Sequence, residues 1–136
     1  MARLILDTGV IVAAVRDDRP RILEAITDQD DVAVPAVAVA EYLTGVELDD
    51  DPARRAAQAA FLDELLGAVP IIDYTTEVAR HHAALLAHVH RTGRPRGAHD
   101  LIIAASARAT GRILLTTDAK ADFGELPEVE HRLLTH

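Results

Sequence analysis

Short apolar runs alternate along this chain with longer segments whose apolar residues recur at helical spacing, a pattern that predicts an α/β fold. Strands are expected at Leu4–Leu6, Val32–Val34, Val69–Ile72 and Ile113–Thr116, with a weaker one at Val129–Leu133. Most are continuous apolar runs, as a sheet covered on both faces requires. Helices are expected at Thr8–Val15, Pro20–Thr27, Pro35–Val46, Pro52–Leu66, Thr76–His90 and His99–Thr110, and a short turn begins at Ala119. Pro20, Pro35 and Pro52 suit first-turn positions, where an absent N–H costs nothing. Gly67, Gly93 and Gly111 each follow a helical pattern and are placed to close its last turn in the left-handed conformation. Strands joined through helices favour right-handed crossovers. The economical arrangement is therefore a parallel sheet flanked by helices in three α/β/α layers, with ligand groups collecting at the carboxyl ends of the strands.

A length of 136 residues favours one domain spanning 1–136, and 49% hydrophobic residues supply its core, mostly from aliphatic side chains because aromatics make up only 3%. The cysteine count of zero excludes disulfide scaffolds, thiolate metal sites and cysteine nucleophiles. A balance of 14 basic against 22 acidic residues gives a net charge of −8, so diffuse basic attraction cannot hold a nucleic acid and any such chemistry needs localised positive charge. The longest uncharged apolar stretch, Val32 to Ala40, is far too short for a membrane span. Asp7 interrupts the apolar run Leu4 to Val15 and no small-residue cleavage region follows, so the first residues read as structure rather than as a secretion signal, and a soluble, cytoplasmic protein without a membrane partner is expected.

Asp7 follows the first strand, Asp118 follows the strand Ile113–Thr116 after one more residue, and Asp100 opens a helix. All three can reach one edge of the sheet. Each alone is explained by helix capping. Glu41 is harder to dismiss, because it lies within the largely apolar Ala36–Leu43, where an ionised carboxylate needs a partner. Four converging carboxylates must take up protons or bind a cation. An all-oxygen donor set indicates a hard ion, Mg2+ with Mn2+ as a chemical substitute. Such an ion orients and activates water for in-line attack on a phosphodiester. Thr8 and Thr117 stand beside Asp7 and Asp118 as accessory hydroxyls, and a helical turn after Asp118 would bring Asp122 onto its face.

Four segments, LILDTGVIVAAV at Leu4–Val15, VPAVAVAEYLTG at Val34–Gly45, HDLIIAASARATG at His99–Gly111 and LLTTDAKADF at Leu114–Phe123, together resemble the PIN-domain ribonucleases, in particular the VapC-like toxins of toxin–antitoxin pairs. The resemblance spans nearly the whole chain in order and spacing. It implies a PIN fold and carries the family's acidic quartet onto Asp7, Glu41, Asp100 and Asp118, with Thr117 as its accessory hydroxyl. It also implies divalent-metal-dependent RNA cleavage, a homodimer, and a VapB-like antitoxin whose carboxyl-terminal segment would cover the acidic groove. The stretch from Asp118 to Phe123 is about one residue looser than is usual in such sequences.

An acidic protein needs a local basic surface to hold RNA, and Arg91, Arg94 and Arg96, interleaved with Gly93, Pro95 and Gly97, supply one next to Asp100, with Lys120 beside Asp118. A second basic cluster, Arg16, Arg19 and Arg21, has Asp17, Asp18 and Glu24 as ready salt-bridge partners. His81, His82, His88 and His90 crowd one helix, where they are expected on its solvent side rather than around a metal. Tyr42, Leu43, Phe61 and Leu65 form either a core or a surface for a second protein. Two rival readings remain: a phosphotransfer or phosphatase domain with Asp7 as nucleophile, which lacks a second Asp at Gly9, and a non-catalytic regulatory module whose carboxylates are caps.

Overall fold

In the computed structural model the described residues are 1–16 and 19–134, with Arg19 and Leu23 described by their backbone alone. Asp17, Asp18 and the Arg19 side chain, expected to form part of a basic cluster with its partners, lie outside the described residues. The elements follow in the order β1 (Arg3–Leu6), α1 (Thr8–Val15), α2 (Arg19–Ala25), β2 (Asp31–Pro35), α3 (Ala36–Leu48), α4 (Pro52–Ala68), β3 (Ile71–Ile72), α5 (Thr76–Thr92), α6 (Ala98–Thr110), β4 (Ile113–Thr116) and β5 (His131–Leu133), with a 3-10 turn at Phe123–Glu125. The strands make one five-stranded sheet in the order β3-β2-β1-β4-β5, and every pairing is parallel. The chain builds outward from β1 through β2 to β3, then returns to place β4 on the other side of β1. The switch of direction therefore falls between β1 and β4, where ligand crevices form in open parallel sheets.

Alternation along the strands sends neighbouring side chains into different layers. Ile5 and Leu114 pack with Val78 and Leu85 of α5 and with Leu101, Ile103 and Ala104 of α6. Leu6, Val34 and Leu115 point into the opposite layer against Val10 and Ile11 of α1, Ile22 of α2, Ala38 and Tyr42 of α3 and Leu62 of α4. Tyr42 belongs to this core; its hydroxyl donates to the Gln58 carbonyl oxygen at 2.8 Å, which satisfies the polar tip. Leu43 is exposed, while Phe61 and Leu65 are half-buried at the margin of the layer. At the opposite end of the sheet from the carboxylates, the buried Arg112 guanidinium donates from Nη1 to the carbonyls of Leu4 and Asp31, at 3.1 and 2.8 Å, and to the Asp31 carboxylate at 3.1 Å.

The expected elements form, with three local corrections. Pro35 ends β2 with ψ 142° and caps α3 from outside rather than entering its first turn, so its fixed φ serves strand and cap together. Gly67 lies inside α4, which runs on to Ala68 and stops at extended Val69, whereas Gly93 and Gly111 do close α5 and α6 in the left-handed conformation, with φ of 66° and 61°. The residues after Asp118 form a non-helical turn. Asp122 adopts φ 48° as the residue before the 3-10 turn, so the helical face expected to align it with Asp118 does not exist. Among the described residues no helix is long and apolar enough to cross a membrane.

Candidate active site

The carboxyl ends of β1 and β4 place the first two acidic residues side by side. Asp7 leaves β1, its N–H donating to the Leu115 carbonyl at 2.9 Å, and it caps α1 by accepting from the Thr8 N–H at 2.8 Å. The parallel register pairs Leu6 with Leu115, so one step further brings Thr116 beside Asp7. The Thr116 hydroxyl donates to Asp7 Oδ2 at 2.7 Å and accepts from the Asp118 N–H at 3.0 Å. One buried hydroxyl thus connects two of the acidic residues. The Asp118 carboxylate is held in turn by the N–H groups of Lys120 and Ala121, at 2.9 and 3.2 Å.

Glu41 comes in from α3. Its Oε1 accepts from the Thr8 hydroxyl at 2.8 Å, and its Oε2 lies 3.2 Å from His99 Nδ1. Thr8 therefore orients one carboxylate through its hydroxyl and another through its N–H. Asp100 sits in the first turn of α6, where a negative charge also meets the positive end of the helix dipole. Two open depressions share Gly97 and Asp100: one of about 370 Å³ that also includes Glu41 and His99, and one of about 210 Å³ that also includes Asp118 and Lys120.

Charge coupling ties the four together. Burial raises the Asp7 pKa above its usual 3.8; the bonds from Thr116 and Thr8 oppose that, and the charges of Glu41 and Asp118 add to it. Asp100 is raised as well, first by burial and then by the charges of Asp7, Asp118 and Glu41, with His99 opposing. Asp122 is not among the carboxylates that act on either residue. Its side chain accepts from Arg94 Nη2 at 2.8 Å instead. Among the described residues no three potential ligands already form a closed cage. The donor set nevertheless fits a hard divalent cation: all oxygen, mutually repelling, and carrying two carboxylates whose ionised forms a cation would relieve.

Two glycines permit this crowding. A Cβ on Gly9 would stand 2.4 Å from the Thr117 hydroxyl oxygen, so α1 approaches the loop after β4 only because that position carries no side chain. A Cβ on Gly97 would come within 2.9 Å of Asp100 Oδ2. Gly97→Ala is expected to push the Asp100 carboxylate aside and reduce cation-dependent cleavage by about tenfold or more with little change in melting temperature. Unaltered cleavage kinetics would mean that the Asp100 position is not critical.

Of the expected basic contacts, Lys120 and Arg91 are exposed and Arg94 is half-exposed in its pair with Asp122. Arg96 is not available to a phosphate. Its side chain is 6% exposed and its guanidinium is spent on Glu125 and on the carbonyls of Ala121 and Asp122. The histidines of α5 are dispersed, with His81 between Glu77 and Arg108, His82 against the Tyr74 hydroxyl, and His88 against Glu125. Sequence reasoning missed Thr116, His99 and Gly97. Thr116 was concealed by its neighbour Thr117, and only the strand register shows which hydroxyl faces Asp7.

The PIN domain family model matches residues 4–128, and the chain belongs to that family. Among similar curated proteins, the tRNA(fMet)-specific endonuclease VapC of Shigella flexneri is 26% identical over 121 residues, covering 88% of this chain and 89% of that protein. Among solved structures, VapBC2 of Rickettsia felis bound to a DNA fragment from its promoter superposes with a TM-score of 0.86 at 22% identity, over 98% of this chain and 99% of the other, which speaks for the fold. VapBC-5 of Mycobacterium tuberculosis, a member of the VapBC family of toxin–antitoxin systems, matches with a TM-score of 0.78 at 28% identity over 98% and 99%.

Proposed function

We propose that this chain is the toxin of a toxin–antitoxin pair, an endoribonuclease that hydrolyses RNA phosphodiester bonds with the help of a divalent cation. The observation that carries the reading is the coupling of Asp7, Glu41, Asp100 and Asp118 at the β1/β4 switch point in a chain of the PIN domain family. Asp7, Glu41, Asp100 and Asp118 would hold the ion, Mg2+ in preference and Mn2+ as a substitute, since hard cations take oxygen ligands and Mg2+ commonly shares its coordination with substrate phosphate. When bound, that ion polarises the phosphate and activates the attacking water. Thr8 and Thr116 keep their carboxylates in fixed rotamers, and Thr117 stands as an accessory hydroxyl above Gly9.

The protein's own residues also suit the substrate. His99 and Lys120 each line one of the two depressions, with exposed Arg91 in the last turn of α5 and Arg94 in the loop that leads to them. Lys120 and the arginines supply the localised positive charge that an acidic protein needs to receive a polyanion. Asp7 fits a ligand better than a phosphotransfer nucleophile: it is only 6% exposed and both of its oxygens already accept hydrogen bonds. A VapB-like antitoxin is the partner in this reading. An apolar groove of about 380 Å³ between α1, α2 and α4, with Val10, Ile11, Ile22, Phe61 and Leu65 in its walls, offers such a partner a hydrophobic seat. A homodimer and a cytoplasmic location complete the proposal.

The test is mapping of RNA 5′ ends in cells after controlled expression of the chain, paired with cleavage by the purified protein with and without chelator. New ends at discrete sites, lost in chelator and suppressed by the partner, are expected. Purified protein that leaves all RNA intact in Mg2+ and Mn2+ contradicts the reading.

A further inference from the structure

Asp100 opens α6 just after the α5–α6 loop and Asp118 lies in the loop after β4, and one buried side chain joins the two loops. Arg96 reaches out of the loop between α5 and α6, donating through Nη1 to the carbonyls of Ala121 and Asp122 and through Nη2 to the Glu125 carboxylate. Glu125 is held from its other side by His88 of α5, at 2.8 Å. An exposed second tie, Arg94 to Asp122 at 2.8 Å, spans the same two loops.

The bonding continues to the acidic residues themselves. Ala121 bonds both ways: its N–H donates to Asp118 Oδ1 at 3.2 Å, and its carbonyl accepts from Arg96. On the other loop, Gly97 follows Arg96 directly and lies against the Asp100 carboxylate. Arg96 is therefore one residue, Ala121, away from the Asp118 carboxylate and directly precedes Gly97, which lies against that of Asp100. A guanidinium is suited to this because it is planar, permanently charged and forked, and so can serve three acceptors at fixed angles.

We propose that Arg96, braced by Glu125 and His88, is a positioning residue that sets the separation of Asp100 from Asp118 and thereby the cation affinity of the site. The proposal rests on the nuclease reading for the identity of the site, and it replaces the phosphate contact that the sequence suggested for this arginine. The two roles predict opposite behaviour. A phosphate contact acts on RNA binding and on its salt dependence. A brace acts on the ion and on turnover. Removing a positive charge near a cation site would by electrostatics alone strengthen cation binding, so weaker binding in a variant without the guanidinium identifies the brace.

The experiment uses the full chain with Arg96→Met, Arg96→Lys and Glu125→Gln, each checked for its fold by circular dichroism. Mn2+ affinity is read from the electron paramagnetic resonance of the free ion, and kcat and KM are measured on RNA across a salt series. Both Arg96 variants are expected to lose about tenfold or more in Mn2+ affinity and a similar factor in kcat, with KM for RNA within about threefold of wild type and an unchanged salt slope. Lysine should not rescue, because a single ammonium cannot span the three acceptors. Glu125→Gln should fall between wild type and Arg96→Met, and it carries the test if Arg96→Met does not fold. A raised KM with a shallower salt slope at unchanged Mn2+ affinity overturns the proposal, as does wild-type behaviour of Arg96→Met. Wild-type protein that takes up Mn2+ but cleaves no RNA refutes the nuclease reading alone, leaving the brace to be judged by the affinities; wild-type protein that takes up no Mn2+ overturns both.

Discussion

Asp7→Asn is expected to lower cation-dependent RNA cleavage by about a hundred- to a thousandfold while raising the melting temperature of the metal-free protein. The two effects have one cause. Burial and the charges of Glu41 and Asp118 raise the Asp7 pKa, so the folded state holds its proton more tightly than the unfolded chain does. The associated stability is present at acidic pH and is lost as pH rises through the raised value. At neutral pH the ionised side chain therefore opposes folding. Asparagine keeps an oxygen for the Thr8 N–H at the start of α1, carries no charge, and can donate from Nδ2 to the Thr116 hydroxyl that Oδ2 accepted from, so the melting temperature should rise. Cleavage assays and thermal melts of the same preparation check both halves. A variant that is inactive because it is unfolded would separate the two effects and remove the proposed link between them.

Thr116→Val should be damaging in both respects. Valine matches threonine in shape and in its preference for strands, so the change isolates the hydroxyl. Without it, Asp7 Oδ2 loses its donor and the Asp118 N–H loses its acceptor. A cost of about 2 kcal/mol in stability follows from groups left unsatisfied at a buried site, and a fall of about tenfold or more in cleavage follows from carboxylates that no longer share a support. Thr116→Ser keeps the hydroxyl and should retain most of both. Denaturant unfolding together with cleavage kinetics tests this, and a valine variant equal to wild type would show that the shared hydroxyl is immaterial.

The layers of the fold were legible because burial on both faces forces continuous apolar strands, and the runs Leu4–Leu6 and Ile113–Thr116 mark the two central strands. Asp7, Asp118 and Asp100 were marked by their places just after a strand or in the first turn of a helix, and Glu41 by its apolar surroundings within one. What remained hidden depended on long-range register and on loop conformation. Thr116 and Thr117 are chemically identical in the sequence, and only the pairing of Leu6 with Leu115 selects the first as the neighbour of Asp7. Arg96 reads as a solvated loop cation until Ala121, Asp122 and Glu125, about 25 to 29 residues on, fold over it. Asp122 depended on a helix that its left-handed backbone does not form, and Gly67 on a helix end that came later. For Thr116 and Arg96 a distant segment decided what the side chain touches, whereas for Asp122 and Gly67 the local backbone differed from the expected helix and helix end.

Whether the four carboxylates hold a cation is decided by calorimetric titration of the chain with Mg2+ at neutral and at mildly acidic pH. Because Asp7 and Asp100 are both raised, uptake should weaken and release protons as pH falls towards the carboxylate range, and should be lost in Asp7→Asn. Uptake by wild type and Asp7→Asn alike, or none by wild type even with RNA bound, would contradict the account.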